Sequence, residues 1–253
     1  MMEKELKRSF PLLSIIIPVF NNLEGIIQIY NKLARFKNIE LIIIDDGSNN
    51  ENIIKPSNFN LCKVINQKNS GVSKARNLGI KYCEGEYLTF LDSDDDITGI
   101  EIILNYLIGV KDQNTLIFFP MIKLFPNGNS ELSFAHYLNY KGYVGGKVVN
   151  RKFFMELNLK FNEKLKICED SLFWAEILIK SKNIIWVNDT KYLYHQNKND
   201  ELTFEKIFQI LIVIFNLFQK LVFSGNNKNL IKQDLVGIIY YFLVVVKSKL
   251  YAK

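Results

Sequence analysis

Three apolar runs in the first hundred residues lack the alternation of a half-exposed strand. They span residues 12–19, 40–44 and 87–91, and each is rich in β-branched or aromatic side chains. Continuous runs of this length are typical of strands that are buried on both faces of a sheet. A weaker apolar segment at residues 58–65 predicts one further strand.

The segments between these strands have the period of amphipathic helices, at residues 26–33 and again at residues 71–82. The inner face of the second helix is expected to carry Ala75, Leu78, Gly79 and Tyr82. Strands that alternate with helix-length segments form βαβ units, which give a parallel sheet with right-handed crossovers. We therefore predict an α/β fold with a mostly parallel sheet flanked by helices.

Two more helices and a strand are expected further along the chain. The patterns predict a helix at residues 97–110, a strand at residues 115–119 and a helix that begins near residue 169. Asp96 is expected to cap the first of these helices, because a carboxylate is a common N-cap. Lys147 follows two glycines and is expected at the surface, although it could instead face a phosphate or a sugar.

Residues 201–253 form a C-terminal α-helical appendage to a main domain of residues 1–200 in this interpretation. Two segments, 207–223 and 235–246, are dense in Ile, Leu, Val and Phe. Neither is a charge-free apolar run of about 18 residues, the length of a membrane-spanning helix. Two interpretations stay open for this appendage: contact with a membrane surface, or packing on the main domain or on a second subunit.

Charge and cysteine content indicate which partners and which cellular compartment fit this protein. Lys and Arg total 32 against 26 Asp and Glu, and the net charge of +6 fits an anionic substrate or an acidic membrane. This charge is too diffuse to indicate nucleic acid as a partner. Cys62, Cys83 and Cys168 have no close pairing, which favours reduced thiols in the cytoplasm. No apolar segment near the N-terminus is long enough for a signal peptide, so export is not expected.

Two of the predicted strands end in acidic residues. Asp45 and Asp46 follow the strand at residues 40–44. The acids after residues 87–91 are Asp92, Asp94, Asp95 and Asp96. The carboxyl ends of parallel strands meet at one edge of a sheet, where ligands bind. Mg²⁺ and Mn²⁺ prefer oxygen ligands, and Mg²⁺ takes further ligands from substrate phosphates. A metal–diphosphate site is therefore predicted; a solvated acidic turn that caps the next helix is the alternative.

Glycine-rich phosphate loops are missing from the sequence. Residues 18–22 read PVFNN where a dinucleotide site would have GxGxxG, and no GxxxxGK[ST] segment occurs. Metal and cationic side chains would then have to neutralise a diphosphate. Lys74 and Arg76, on the helix before the acidic strand end, are candidates, although most such residues lie on a solvated helix face.

Four segments resemble the motifs of GT-A-type family 2 glycosyltransferases. In chain order they are Ser14–Asn21 (SIIIPVFN), Ile43–Ser48 (IIDDGS), Asn69–Asn77 (NSGVSKARN) and Phe90–Asp95 (FLDSDD). Each motif is weak alone, but the four together, in the family's order and spacing, are highly specific. The resemblance implies a Rossmann-like GT-A fold, a nucleotide-sugar donor that is most often a UDP-sugar, and Mn²⁺ or Mg²⁺.

The resemblance also implies roles for individual residues, with a donor half at 1–110 and an acceptor half at 111–200. The expected donor site consists of Pro18, Phe20, Asp45, Asp46, Asn69, Lys74, Arg76, Asp92 and Ser93. Asp45 or its neighbour Asp46 would accept hydrogen bonds from the base or the ribose. Asp94 resembles the direct metal ligand of the family's DxD motif.

The pair Glu169-Asp170 resembles the family's Glu-Asp pair, in which the aspartate is the general base. Asp170 would take the proton of the acceptor hydroxyl, and Glu169 would support it or orient the acceptor. The alternative is that both acids only stabilise the first turn of a helix. His195 lies where the family often has a basic or metal-binding residue, so it is interpreted as a further metal ligand or a diphosphate contact. Many members have Arg there instead, and a partly buried, hydrogen-bonded histidine is equally compatible.

The combined expectation is an inverting transferase that moves a hexose or N-acetylhexosamine from a UDP-sugar to a saccharide or lipid-linked acceptor. Surface-polysaccharide or lipopolysaccharide synthesis at the cytoplasmic face of the inner membrane would be its setting, with a homodimer formed through the C-terminal helices. A sugar-phosphate nucleotidyltransferase is disfavoured, because its glycine-rich basic loop is missing. A non-catalytic nucleotide-sugar-binding subunit is the other alternative.

Overall fold

The computed structural model describes residues 11–49, 61–134 and 143–195. In chain order the strands are β1 (Leu13–Val19), β2 (Ile39–Asp45), β3 (Cys62–Asn66), β4 (Tyr87–Phe90), β5 (Asp96–Thr98), β6 (Thr115–Phe118), β7 (Met121–Leu124), β8 (Ser130–Phe134), β9 (Lys147–Asn150), β10 (Asn183–Trp186) and β11 (Lys191–His195). The helices are α1 (Leu23–Leu33), α2 (Val72–Tyr82), α3 (Ile100–Gly109), α4 (Arg151–Glu156) and α5 (Glu169–Lys180).

Seven strands form the main sheet, in the order β10-β6-β9-β4-β1-β2-β3. β1 pairs in parallel with both β2 and β4, and β2 pairs in parallel with β3. β10 is parallel to β6, whereas β9 runs antiparallel to its neighbours β4 and β6. A smaller sheet has the order β5-β11-β7-β8. The prediction of a mostly parallel sheet flanked by helices is confirmed.

The central strand β1 shows why the first apolar run does not alternate. All seven of its residues are buried. Ile15 and Ile17 belong to the core that α1 and α3 cover, whereas Ile16 belongs to the opposite core, formed with α2, α4 and α5. Because helices cover both faces of the strand, every position favours an apolar side chain.

The predicted helix start at Asp96 is wrong. Residues 96–98 form β5 instead, and Ile97 lies opposite Tyr192 of β11. The β-branched residues Ile97 and Thr98 favour a strand when a neighbouring strand is available. The helix begins at Ile100, after Gly99 in the left-handed conformation with φ 68°, a conformation that glycine adopts most readily.

Ala75 and Gly79 lie on the inner face of α2, as predicted, but the prediction that Tyr82 lies there too is wrong. Tyr82 is 46% exposed, whereas the polar residues Arg76 and Asn77 are buried. Burial of Asn77 is possible because its side-chain amide is hydrogen-bonded. It donates to the carbonyl oxygen of Phe161 at 3.0 Å and accepts from the amide of Phe161 at 2.8 Å. Hydrogen bonds to another segment therefore allow a polar residue to lie on the buried side of α2 beside Ala75 and Ile80.

The predicted helices at 207–223 and 235–246 lie outside the described residues. The same is true of the membrane contact and the homodimer, which depend on residues 201–253, and of the first part of the strand predicted at 58–65. Within the ranges that the structure describes, every helix is too short or too polar to cross a bilayer.

Gly79 permits the close approach of α2 to β1, and its replacement by alanine is expected to destabilise the fold. A β-carbon at this position would overlap Cγ2 of Ile16, which is fully buried. Overpacking of this kind costs about 1–3 kcal/mol, whereas the gain in helix propensity is at most about 1 kcal/mol. Urea unfolding should therefore show a lower free energy of unfolding for Gly79→Ala.

Gly109→Ala is the matched control, because a β-carbon at Gly109, the last residue of α3, meets nothing within 4 Å. This variant is expected to be as stable as the wild type or slightly more stable. Equal stability of Gly79→Ala and Gly109→Ala would contradict the packing argument.

Candidate active site

Three neighbouring parallel strands, β4, β1 and β2, end at one edge of the main sheet. In the sheet register Val19 lies opposite Asp45, and Ile16 lies opposite Phe90. The acids that follow β2 and those that follow β4 therefore lie at the same edge, as the sequence predicts. Residues Asp92–Asp96 are called the acidic loop below.

The two acids at the end of β2 are buried and bound by the chain's own loops. Asp45 accepts from the amide of Ser48 at 2.9 Å and from its hydroxyl at 2.6 Å. Asp46 accepts from the amides of Ser70 and Gly71, both at 2.8 Å. Asp46 thus fixes the loop that leads into α2, whereas Asp45 binds the loop after β2. The structure therefore distinguishes Asp45 from Asp46, which the sequence treats as alternatives for binding the base or the ribose.

Other residues of the expected donor site differ in exposure. Pro18 is buried within β1, whereas Phe20, just after the strand, is 48% exposed. Asn69 and Lys74 are exposed. The loop after β2 touches the loop before α2, because a β-carbon on Gly47 would lie 2.6 Å from the Asn69 amide nitrogen. An exposed aromatic ring beside these two loops is suited to stack on a planar group.

Arg76 joins the acidic loop to the start of α5. Its guanidinium donates to Asp92 at 2.8 Å and to Glu169 at 3.0 Å, and its centre lies 5.4 Å from the centroid of the Phe161 ring. Burial by itself lowers the pKa of Arg76, but the charges of Asp92 and Glu169 raise it above its ordinary value. The arginine therefore stays charged and neutralises carboxylates from two distant segments.

Ser93 is bound by the start of α1. Asn22, the N-cap of that helix, accepts from the Gly25 amide at 3.1 Å and donates to the Ser93 carbonyl oxygen at 3.0 Å. Gly25 has no room for a β-carbon, because the same carbonyl oxygen lies against it. The backbone of the acidic loop is therefore fixed against α1 at this point.

Asp95 is one of the acids of the predicted metal–diphosphate site, where the sequence assigns it no separate role, and it is the most buried acid of the loop. It accepts from the Tyr192 hydroxyl at 2.6 Å and from the amide of His195 at 2.8 Å. Burial and the neighbouring charge of Asp92 raise its pKa to about 8. Asp95 thus links the acidic loop to β11, and no local sequence signal distinguishes it from the acids on either side.

The remaining acids of the loop lie nearer to solvent. Asp96 pairs with Lys32 of α1 at 2.6 Å, and about a third of each side chain is exposed. Asp94 is exposed. The imidazole of His195 is 50% exposed, and its Nδ1 lies 4.0 Å from Asp95. The structure therefore leaves Asp94 and His195 accessible from outside the protein.

The donor atoms at this edge fit a metal that takes most of its ligands from substrate and water. Within the described ranges, no three His, Cys, Asp or Glu side chains are grouped so that they could form a metal cage. Mg²⁺, however, is usually bound by only one or two protein carboxylates and by phosphate oxygens. The residues that could hold such a metal are Asp94, whose carboxylate is exposed, and Asp92, two residues before it and bound to Arg76.

Glu169 and Asp170 form the first turn of α5. The carboxylate of Glu169 accepts from Arg76, whereas Asp170 accepts from the Ser171 amide at 2.8 Å. Burial and the charge of Glu169 raise the pKa of Asp170 to about 7, against the opposite effects of Arg76 and Lys147. A carboxylate whose pKa lies near neutral pH is suited to proton transfer.

The prediction that Lys147 lies at the surface is wrong. It is the first residue of β9 and is 0% exposed. Its ammonium group donates to the carbonyl oxygens of Tyr143 and Gly145, the latter at 3.0 Å, and these bonds replace part of its hydration. The sequence offers one weak signal, namely that Lys147 directly precedes two β-branched strand residues, Val148 and Val149.

Two of the curated relatives have names that describe teichoic acid biosynthesis or the transfer of N-acetylglucosamine to poly(ribitol phosphate). The minor teichoic acid biosynthesis protein GgaA of Bacillus subtilis is 26% identical over 276 residues, covering 94% of this chain and 59% of GgaA. The poly(ribitol-phosphate) beta-N-acetylglucosaminyltransferase TarP of Staphylococcus aureus is 32% identical over 205 residues, covering 71% of this chain and 61% of TarP. The chain thus spans about three fifths of the length of these relatives.

Solved structures show the same fold. The crystal structure of S. aureus TarS 1–349 with UDP superposes with a TM-score of 0.69 at 20% identity, covering 90% of this chain and 70% of that one. The complex of the same protein with UDP-GlcNAc gives a TM-score of 0.67 at 18% identity, covering 90% and 71%.

The model of glycosyl transferase family 2 matches residues 14–156, which is more than half of the chain. This match includes all four motifs on which the resemblance was based, and the GT-A fold expected from them is present. The chain therefore belongs to glycosyl transferase family 2.

Proposed function

We propose that the protein is an inverting, metal-dependent transferase that moves a hexose or N-acetylhexosamine from a UDP-sugar to a saccharide or lipid-linked acceptor. One observation carries the proposal: the guanidinium of Arg76 binds both Asp92 and Glu169. A donor diphosphate at the acidic loop would therefore lie close to the start of α5, where Asp170 is the candidate base.

The comparisons support the choice of substrates. TarS structures have been solved with UDP and with UDP-GlcNAc, which favours a UDP-linked donor. The name of TarP describes transfer of N-acetylglucosamine, and GgaA is named for teichoic acid biosynthesis. These names favour a polymer such as a teichoic acid as the saccharide acceptor.

The donor nucleotide is proposed to lie across the ends of β1 and β2. The exposed ring of Phe20 would stack on the base, beside Pro18, and Asp45 and Asn69 would bind the base or the ribose. Lys74 is exposed on the first turn of α2, where its ammonium group can reach a diphosphate. Asp46 is proposed to act indirectly, by holding the loop that begins α2.

Asp94 is proposed as the ligand of Mn²⁺ or Mg²⁺, with Asp92 and Ser93 beside it and His195 as a further ligand or a diphosphate contact. When bound, the metal would stabilise the negative charge that develops on the departing diphosphate. Arg76 keeps Asp92 in place at the same edge.

Asp170 is proposed as the general base, and Glu169 as the group that supports it. The acceptor oxygen forms a bond to the anomeric carbon on the face opposite UDP, and the sugar–phosphate bond breaks with its electron pair passing to UDP. The acceptor proton passes to the carboxylate of Asp170. Attack from the opposite face inverts the anomeric configuration.

A donor screen tests the proposal directly. With Mn²⁺ present, one UDP-sugar is expected to raise the melting temperature of the protein more than GDP-mannose does at the same concentration, because the ligand that binds more tightly stabilises the native state more. A ligand at 100 times its Kd stabilises the native state by about 2.7 kcal/mol. Incubation of that donor with candidate acceptors should release free UDP. Release of pyrophosphate from a sugar phosphate and UTP would instead indicate a nucleotidyltransferase, and binding without any donor consumption would indicate a non-catalytic subunit.

Asp170→Asn is expected to lower kcat by about 10²–10⁴-fold, because the amide cannot take the acceptor proton. Binding of UDP, measured by calorimetry, should stay at the wild-type level, because Asp170 is proposed to act on the acceptor. Asp189→Asn, at an exposed position before β11, serves as the control and should retain activity. Wild-type turnover in Asp170→Asn would remove the base assignment.

Asp94→Asn is expected to abolish the metal dependence of donor binding. In the wild type, Mn²⁺ should tighten UDP binding and EDTA should stop transfer, because the metal neutralises the diphosphate. Asp96→Asn is the matched control in the same loop, because its partly exposed pair with Lys32 contributes at most about 1 kcal/mol. An Asp94→Asn protein that responds to Mn²⁺ as strongly as Asp96→Asn does would refute the metal role.

A further inference from the structure

Asn77 is a buried polar residue of α2 to which the proposed function gives no role. It follows Arg76 directly and is 7% exposed. Burial of a side-chain amide is unfavourable unless its donor and acceptor groups are hydrogen-bonded. The partners of Asn77 therefore indicate what this position contributes to the protein.

The hydrogen bonds of the Asn77 side chain all lead to the segment between α4 and α5. Its Nδ2 donates to the carbonyl oxygen of Phe161 and to Oε1 of Glu163, both at 3.0 Å, and its Oδ1 accepts from the Phe161 amide at 2.8 Å. The opposite orientation of the side-chain amide would set Oδ1 against a carbonyl oxygen and Nδ2 against an N–H group. Asn77 thus binds both polar groups of the Phe161 backbone and fixes them on α2.

The ring of Phe161 connects this fixed point to α5. It stacks on the ring of Phe173, with the two centroids 3.8 Å apart and an interplanar angle of 11°. Phe173 is three positions after Asp170 and four after Glu169 on α5, so it lies about one turn from both acids on the same side of the helix. The Phe161 ring also meets the ring of Phe90, the last residue of β4, edge-on at 5.2 Å between centroids. Phe161 therefore contacts both the strand that precedes the acidic loop and the helix that carries the candidate base.

The ion pair of Arg76 completes a closed set of contacts between α2 and α5. The guanidinium binds Glu169 at 3.0 Å, and its centre lies 5.4 Å from the centroid of the Phe161 ring. The described residues 157–168 form neither a helix nor a strand, so side-chain contacts rather than a backbone ladder fix the segment before α5. Two consecutive residues of α2 thus hold α5, Arg76 through the charge of Glu169 and Asn77 through the ring of Phe161.

These contacts set the distance between the two halves of the proposed reaction. The donor would be bound by the acidic loop and by α2, whereas the acceptor proton would pass to Asp170 of α5. Transfer requires both partners in a near-attack geometry, and a misplacement of about 1 Å can lower a rate by about 10²-fold. A contact that fixes α5 on the donor half therefore affects the rate without touching a substrate.

We propose that Asn77 is a positioning residue, which acts through Phe161 and Phe173 to hold the first turn of α5 at the distance from the donor that transfer requires. The proposal rests on the proposed function, because it takes Asp170 as the base. Asn77 itself touches neither donor nor acceptor in this arrangement, since its amide is hydrogen-bonded within the chain.

Separate measurements of kcat and of UDP binding test this role in Asn77→Ala. With the donor and acceptor that the screen identifies, kcat is expected to fall by about 10–100-fold, because Phe161 is no longer fixed on α2 and the first turn of α5 can shift. The dissociation constant of UDP, measured by calorimetry, should stay at the wild-type level, because the groups proposed to bind the nucleotide are unchanged.

Ser14→Ala is the matched control for a loss of stability alone. Ser14 is fully buried near the start of β1, at the opposite end of the strand from the candidate site. Its hydroxyl donates to Glu40 at 2.6 Å and accepts from the Gly85 amide at 2.8 Å, so its replacement also removes buried hydrogen bonds. This variant should keep the wild-type kcat below its melting temperature. Equal kcat values for Asn77→Ala and Ser14→Ala would overturn the proposal.

Phe173→Leu tests whether Asn77 acts through the ring stack. It removes the stack on Phe161 but keeps an apolar side chain, and it should lower kcat while UDP binding is retained. Changes along one chain of contacts are not additive. The double variant is therefore expected to be no slower than the slower single variant, whereas losses in kcat that multiply would refute this route.

Circular dichroism shows whether each variant folds. If Asn77→Ala does not fold, Phe173→Leu takes its place in the comparison with Ser14→Ala. A lower kcat at unchanged UDP affinity would then support the proposal, and a kcat equal to that of Ser14→Ala would refute it.

The base assignment and the positioning role fail in different ways. Full activity of Asp170→Asn would refute the base role itself. An inactive Asp170→Asn protein, combined with equal kcat values for Asn77→Ala and Ser14→Ala, would leave the base role intact and refute the role of Asn77 alone.

Discussion

The double ion pair of Arg76 is the interaction on which the site depends. Arg76 is 4% exposed, and its guanidinium is shared by Asp92 and Glu169, which belong to segments that are far apart in sequence. Its Nε has no hydrogen-bond partner among the described residues, so the two carboxylates provide its main compensation. Loss of one member of such a buried pair typically costs about 3–5 kcal/mol. Without the arginine, the two carboxylates would repel each other across the site.

The four acids of the loop have four different environments, although they lie within five positions. Asp92 meets a buried arginine, Asp95 a tyrosine hydroxyl, and Asp96 a partly exposed lysine, whereas Asp94 is exposed. Contacts with α1, α2 and β11 thus neutralise or hydrogen-bond carboxylates whose mutual repulsion would otherwise destabilise the fold. The same contacts fix the backbone on both sides of Asp94.

Local sequence patterns were sufficient for β1, β2, β3, β4 and β6 and for the edge at which the acids meet, but they did not predict β9 and β10 of the same sheet. The environment of Lys147 was not predictable, because its burial depends on Trp174 of a later helix and on the backbone of the preceding loop. The partner of Asp95 could not be predicted either, since His195 lies a hundred residues away. The prediction of a helix start at Asp96 was wrong for a related reason. An acid before an apolar run is compatible with both a helix cap and a strand, and residues 96–98 form a strand because they pair with β11.

The position of β9 in the main sheet has a consequence for synthesis of the chain. β6 and β10 reach the parallel strands only through β9, so they cannot join the sheet before residue 150 has left the ribosome. The four strands β1–β4 are complete by Phe90 and need no later partner to pair with one another. A growing chain could therefore assemble the sheet edge that carries Asp45 and Asp46 before Glu169 and Asp170 of α5 have been made. The ion pair between Arg76 and Glu169, over 93 residues, and the hydrogen bonds of Asp95 with Tyr192 and His195, over 97 and 100 residues, can close only after that half of the sheet has been made.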